Sequence, residues 1–153
     1  MPDFDKLRAY EDAERQLDSL LAGESHPILK MATINCVLRE MLPYYFWVGF
    51  YLVHEGELVV GPYQGTLGCL HISFDRGVCG AAARTGLVQV VADVRNFPGH
   101  IACDSRSRSE ICVPVHDGAD NLIAVFDVDS TEADSFDEAD EQFLSRLMRK
   151  HFG

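Results

Sequence analysis

Ile111-Cys112-Val113-Pro114-Val115-His116-Asp117-Gly118-Ala119-Asp120-Asn121-Leu122-Ile123-Ala124-Val125-Phe126-Asp127-Val128 reads as a β-hairpin. Two apolar runs, 111 to 115 and 122 to 128, flank a polar break around Asp117-Gly118, a dipeptide suited to the tight turns that join antiparallel strands. Side chains two apart on a strand share a face, so Asp127 and Asp129 point one way while Phe126 and Val128 point the other. If His116 pairs with Asn121, Glu110 falls opposite Asp127 and three carboxylates converge on one face. Like charges placed this way are destabilising unless they are solvated, meet a cation, or keep a proton at neutral pH. A solvated hairpin end meets that condition, and so does a pocket that takes an ammonium and supplies a proton.

Working outward, the chain before the hairpin alternates helical and strand patterns. Residues 5 to 22 predict a first helix with Leu7, Leu17, Leu20 and Leu21 as its apolar stripe. Pro27 opens a second helix, in which Ile28, Met31, Ile34, Cys36 and Leu38 form the apolar side, with Cys36 in the core. Pro43 ends it. From Tyr45 the aromatic and β-branched run Phe46-Trp47-Val48-Gly49-Phe50-Tyr51-Leu52-Val53 is a strand, and His54 to Glu57 turns it into a return strand over Leu58 to Val60. Residues 61 to 76 are glycine-rich and irregular. Gly77 to Thr85 is a short helix stopped by Gly86, Leu87 to Val91 a buried strand, and 92 to 108 a long polar loop. Downstream, Ser135 and Glu138 read as a capping box for a last helix with Phe136, Ala139, Phe143, Leu144, Leu147 and Met148 on one face. The expected fold is α+β: one domain over 1–153, its core over about 25–150 with 1–24 as an N-terminal helix. A central, largely antiparallel sheet carries the N- and C-terminal helices on one face.

Thirteen Lys and Arg against 24 Asp and Glu give a net charge of −11. That balance argues against nucleic acid and anionic membranes as partners. The acidic N-terminus lacks the apolar core of a signal peptide, and no apolar run approaches a membrane span, so the expected location is the cytoplasm. Five cysteines, an odd number in a chain read as cytoplasmic, favour redox, catalytic or metal roles over structural disulfides.

Cys103 lies in a predicted loop, which gives a nucleophilic thiol exposure and access. His100, Arg106 and Arg108 favour its thiolate and Asp104 opposes it. Cys79, near a helix N-terminus, has a route to a lowered pKa, and Cys69 sits in a glycine-rich segment able to move. Cys112 points toward the Glu110 face as a lining or core residue. His71, His100, Cys69, Cys79 and Cys103 are zinc-type ligands, but their spacing does not make a compact site, and no metal is expected. On the first strand Trp47, Gly49 and Tyr51 share a face, with Gly49 leaving space between the rings for a small apolar or cationic group.

Six segments in order then resemble a known family. They are Trp47-Val48-Gly49-Phe50-Tyr51, Gly61-Pro62-Tyr63-Gln64-Gly65, Gly77-Val78-Cys79-Gly80-Ala81-Ala82, His100-Ile101-Ala102-Cys103-Asp104, Ser109-Glu110-Ile111 and Asp127-Val128-Asp129-Ser130. The chain resembles the free methionine-(R)-sulfoxide reductases, single-domain enzymes of the GAF fold. The resemblance implies Cys103 as nucleophile, Cys69 as resolving thiol, Cys79 as a second resolving thiol, and thioredoxin as the reductant with no bound cofactor. It implies that Trp47 and Tyr51 hold the methyl end of free methionine sulfoxide, and that Glu110, Asp127 and Asp129 contact its oxygen and amino group. Backbone N–H groups near Ile101, Ala102 and Cys103 would meet the substrate carboxylate. Family members are commonly homodimers, a contact that the N-terminal helices could supply. Cys112 stands where the family pattern would have Val. GAF domains also serve as small-ligand or redox sensors, which is the competing expectation.

Overall fold

The hairpin forms, and it lies inside a six-stranded sheet. The computed structural model describes residues 4–100 and 103–153. In chain order these hold helix α1 (Lys6–Leu20), α2 (Pro27–Met41), strands β1 (Trp47–His54), β2 (Glu57–Gln64) and β3 (His71–Ile72), α3 (Gly77–Thr85), β4 (Gln89–Val91), β5 (Ser109–His116), β6 (Leu122–Ser130) and α4 (Glu138–Phe152). The strand order is β3-β2-β1-β6-β5-β4, and every neighbouring pair is antiparallel.

The hairpin register is offset by two residues from the sequence expectation: Glu110 pairs with Asp129, and Cys112 with Asp127. Two features add the length. The turn is closed by Asp117 N–H donating to Asn121 O at 3.0 Å, with Asp120 in left-handed backbone, and a bulge falls between Val115 and His116. An even offset leaves each side chain on its expected face, so the three carboxylates still share one side.

That side and its opposite are both buried. Val48, Phe50, Ile111, Val113, Val115, Ala124, Phe126 and Val128 meet α1, α2 and α4 in the larger core. On the other side Trp47, Tyr51, Cys112 and Val125 pack with Val78, Cys79 and Ala82 of α3. The terminal helices therefore share one sheet face, as expected, and among the described residues α3 is the α-helix that covers the other.

The local differences have physical causes. On α1 the buried stripe is Tyr10, Ala13 and Leu17, continued by Leu21 at its C-cap, while Leu7 and Leu20 face outward. Tyr10 wins an inward position because its hydroxyl finds buried partners, Tyr45 Oη at 2.9 Å and Asp140 Oδ1 at 2.5 Å. Cys36 is exposed, because α2 buries Met31, Ile34, Asn35, Val37 and Leu38. Strand β2 continues through Gln64 across a bulge at Gly61-Pro62, since Pro62 has no N–H to give the ladder. Strand β4 is an edge strand with Val90 exposed, not a buried one. The last helix is capped by Asp137, whose carboxylate accepts from Ala139 N–H at 2.9 Å, and the capping box is Asp137/Asp140 in place of Ser135/Glu138. Asp140 also takes Lys6 Nζ at 2.6 Å, tying α4 to α1.

Candidate active site

Three central strands and α3 build a cavity on the smaller-core side. Strand β1 pairs with β6 so that Trp47 meets Asp129 and Gly49 meets Asp127; β5 then sets Glu110 beside Asp129. Trp47, Tyr51, Glu110, Asp127 and Asp129 all line one cavity, together with Cys79 from α3 and Cys103. Its empty space, counted out into open solvent at the mouth, is about 540 Å³. The sequence therefore identified a set of side chains that the fold does bring together. Ile101 and Ala102 lie outside the described residues.

The carboxylates are deep. Glu110 and Asp127 are buried and Asp129 half-buried. Burial, reinforced by the neighbouring Asp129, Cys79 and Glu110, holds the Asp127 carboxyl well above the usual range. Burial first, then Glu110, raises Asp129 as well. The reading of a solvated hairpin end is thereby excluded. Asp127 and Asp129 form a floor that favours the protonated carboxyl.

The aromatic wall differs from the expected slot. Trp47 stacks on Tyr51 at 5.7 Å between centroids and on Tyr63 at 5.0 Å. A Cβ at Gly49 would lie 2.8 Å from Trp47 Cη2 and would overlap Tyr63 Cβ. The space over Gly49 is thus filled by the Trp47 ring itself, and the rings form one continuous wall.

Above the floor, Cys69 and Cys103 are joined by a disulfide, with Cα atoms 5.4 Å apart. Cys103 is exposed and Cys69 half-buried. The two loops that carry them are tied together. Trp47 Nε1–H donates to Thr66 O at 2.8 Å, and Thr66 Oγ1 donates to Asp104 Oδ2 at 2.8 Å. Arg106 grips Asp104 through its backbone N–H at 2.9 Å and its guanidinium at 3.0 and 2.8 Å. The guanidinium holds the Asp104 carboxyl well below the usual range. Arg106 and Arg108 are therefore engaged by Asp104 and Asp93. Sequence reasoning missed Thr66 altogether and read Asp104 only as a charge beside Cys103. Asp104 following the thiol at the foot of a polar loop was the available signal.

Cys79 also departs from expectation. It sits in the first turn of α3, yet burial pushes its thiol up to about 11, with Glu110 and Asp129 adding to the shift. Desolvation outweighs the helix terminus here. Its Sγ lies 3.1 Å from Cys112 Sγ and 3.9 Å from Glu110 Oε2. Cys79, Glu110, Cys112 and Asp127 offer ligand atoms within 4.8 Å of one another. The zinc-type set considered from sequence is not what converges, since His71 bonds Glu57 and Cys69 is bonded to Cys103. His100 lines the cavity with a buried Nδ1 that has no hydrogen-bond partner among the described residues.

The GAF domain family model matches residues 34–150. The chain is 45% identical over 145 residues to GAF domain-containing protein A of Dictyostelium discoideum, covering 94% of this chain and 90% of that protein. It is 41% identical over 145 residues to the free methionine-R-sulfoxide reductase of Escherichia coli K12, covering 95% of this chain and 87% of that protein. Its fold matches the X-ray structure of free methionine-R-sulfoxide reductase from Neisseria meningitidis in complex with its substrate, with a TM-score of 0.91. That match is 42% identical in sequence and covers 97% of this chain and 89% of the other.

Proposed function

The chain belongs to the GAF-domain family, and we propose that it reduces free methionine (R)-sulfoxide to methionine, as its similar relatives of that name are named to do. The observation that carries this reading is the Cys69–Cys103 pair set over a cavity floored by the buried carboxyl groups of Glu110 and Asp127, with Asp129 beside them.

A sulfoxide sulfur is a poor electrophile until its oxygen is protonated or hydrogen-bonded. A buried carboxyl that keeps its proton near neutral pH is suited to that task, and Asp127 is the deepest candidate. The Cys103 thiolate attacks the sulfur; the oxygen passes to Cys103 as a sulfenic acid and methionine leaves as the thioether. Cys69 then condenses with the sulfenic acid, forming the S–S bond and releasing water. Thioredoxin returns two electrons and two protons to that disulfide. Cys79 serves as a second resolving thiol, reached from the same cavity.

The remaining contacts follow from charge and shape. Trp47 and Tyr51 take the methyl end, and Glu110 and Asp129 take the ammonium, whose charge relieves the carboxylate repulsion. Backbone N–H groups around Ile101, Ala102 and Cys103 take the carboxylate. A peptide-bound methionine sulfoxide has no ammonium to offer this floor, which favours the free amino acid.

The test is NADPH oxidation coupled through thioredoxin reductase and thioredoxin, run with each epimer of free methionine sulfoxide and with a peptide form. Turnover is expected with the free (R) epimer alone. Cys103→Ser should remove methionine release altogether. Cys69→Ser should still release methionine in a single turnover but slow steady-state recycling by about tenfold or more. Binding of the sulfoxide without turnover in the reduced protein would instead identify a sensing module.

A further inference from the structure

Cys112 has no part in the reaction just described. It is fully buried on β5, with its Sγ 3.1 Å from Cys79 Sγ, only about 1 Å beyond a bonded S–S distance. Cys79 lines the cavity and Cys112 sits behind it. Two carboxylate oxygens lie within reach of the Cys112 thiol, Glu110 Oε2 and Asp127 Oδ1, each at 3.4 Å. A buried thiol in contact with a second thiol and with groups able to carry its proton has the parts needed for thiol–disulfide exchange.

We propose that Cys79 and Cys112 are a second, buried redox pair, to which the oxidising equivalent generated at Cys103 passes by exchange, ending as a Cys79–Cys112 disulfide. The proposal rests on the sulfoxide reductase reading. From the Cys69–Cys103 disulfide, the Cys79 thiolate attacks Cys103 Sγ. The Cys79–Cys103 bond forms, the Cys69–Cys103 bond breaks, and Cys69 leaves and takes up the proton that Cys79 gave. Cys112 then attacks Cys79 Sγ, handing its proton to the Glu110 carboxylate, whose Oε2 lies 3.4 Å from Cys112 Sγ. The Cys79–Cys112 bond forms, the Cys79–Cys103 bond breaks, and Cys103 departs and is reprotonated from that carboxyl group. Two buried thiols have been oxidised and one disulfide reduced to two thiols, so no outside oxidant enters. The Cys69/Cys103 pair is again reduced and ready for substrate.

The direction of transfer follows from solvation. Cys103 is exposed and leaves as a hydrated thiolate, whereas burial raises the pKa of both Cys79 and Cys112. Thiols that gain little as thiolates attack slowly, but the disulfide they form is the harder one to reduce. The inner pair is thus a slow sink for oxidation behind a fast outer pair.

Reduced, desalted protein carrying Cys36→Ser, which removes the exposed thiol on α2, is given excess free methionine (R)-sulfoxide without reductant. About two methionines per chain are expected, the first fast and the second slow. A Cys79–Cys112-linked peptide should appear by mass spectrometry with the second phase. Cys112→Val should stop at about one methionine while keeping its thioredoxin-coupled rate, and Cys79→Ala should also stop at about one. The proposal is overturned if the Cys36→Ser protein stops at one with Cys79 and Cys112 still alkylable after denaturation. It is equally overturned if Cys112→Val yields two. Absence of any methionine from the parent protein would remove the reductase reading itself, a result distinct from stopping at one.

Discussion

Asp127 and Cys79 show one force with opposite chemical outcomes. Burial raises both groups. For the carboxyl this preserves a proton to give, and for the thiol it withholds the thiolate needed for attack. If Asp127 is the acid, its working form is the protonated one, so turnover falls as pH rises through its raised pKa. Asp127→Asn should then lower kcat by about 10²-fold or more and flatten the alkaline limb of the rate profile. Steady-state rates with the free (R) epimer across pH measure this. An unchanged alkaline limb would move the acid role to Glu110 or Asp129. The types and the common face of these residues were legible from strand alternation. Their depth was not, because it depends on α3 covering that face. For the same reason the first-turn position of Cys79 pointed to the wrong sign.

At the scale of elements, β1 decides the shape of the cavity wall. Gly49 gives up a side chain so that the Trp47 ring can lie across it and stack on Tyr63. Gly49→Ala should push the indole into the cavity. A stability loss of about 1–3 kcal/mol is expected from overpacking. KM should rise by roughly tenfold, or about 1.4 kcal/mol of binding. Thermal melting and substrate titration read the two effects separately, and a variant with wild-type KM would show that the indole does not border the substrate. Strand β1 and its aromatic face stood out in the sequence because period and composition agree. The extension of β2 did not, because Gly61-Pro62 resembles a strand end unless the bulge that absorbs it is known. Helix α1 hid its stripe likewise. Leucine count favoured Leu7 and Leu20, while a buried hydroxyl partner on α4 selected Tyr10.

For the whole molecule, acidic groups pull stability in two directions with pH. Asp127 and Asp129 have raised pKa values in the fold. Their contribution is fully present below the unfolded carboxyl pKa and is lost as pH rises through the folded values. Asp93, Asp104, Asp117 and Asp137 are lowered, so theirs is present above the unfolded pKa and is lost as pH falls through the folded values. A net charge of −11 adds repulsion on the alkaline side. The stability maximum should therefore lie on the acid side of neutrality, bounded below by the unfolded carboxyl range near about 4. The Asp127→Asn/Asp129→Asn double variant should be more stable than the parent at pH 8 by about 1–3 kcal/mol. The two should converge as pH falls toward about 4, where the parent carboxyls are protonated. Calorimetric melting across pH compares them, and a double variant less stable at pH 8 would mean that the floor is held by contacts, not by protons. Bound substrate should narrow the difference at neutral pH from the other side, because its ammonium supplies the charge that the empty floor lacks.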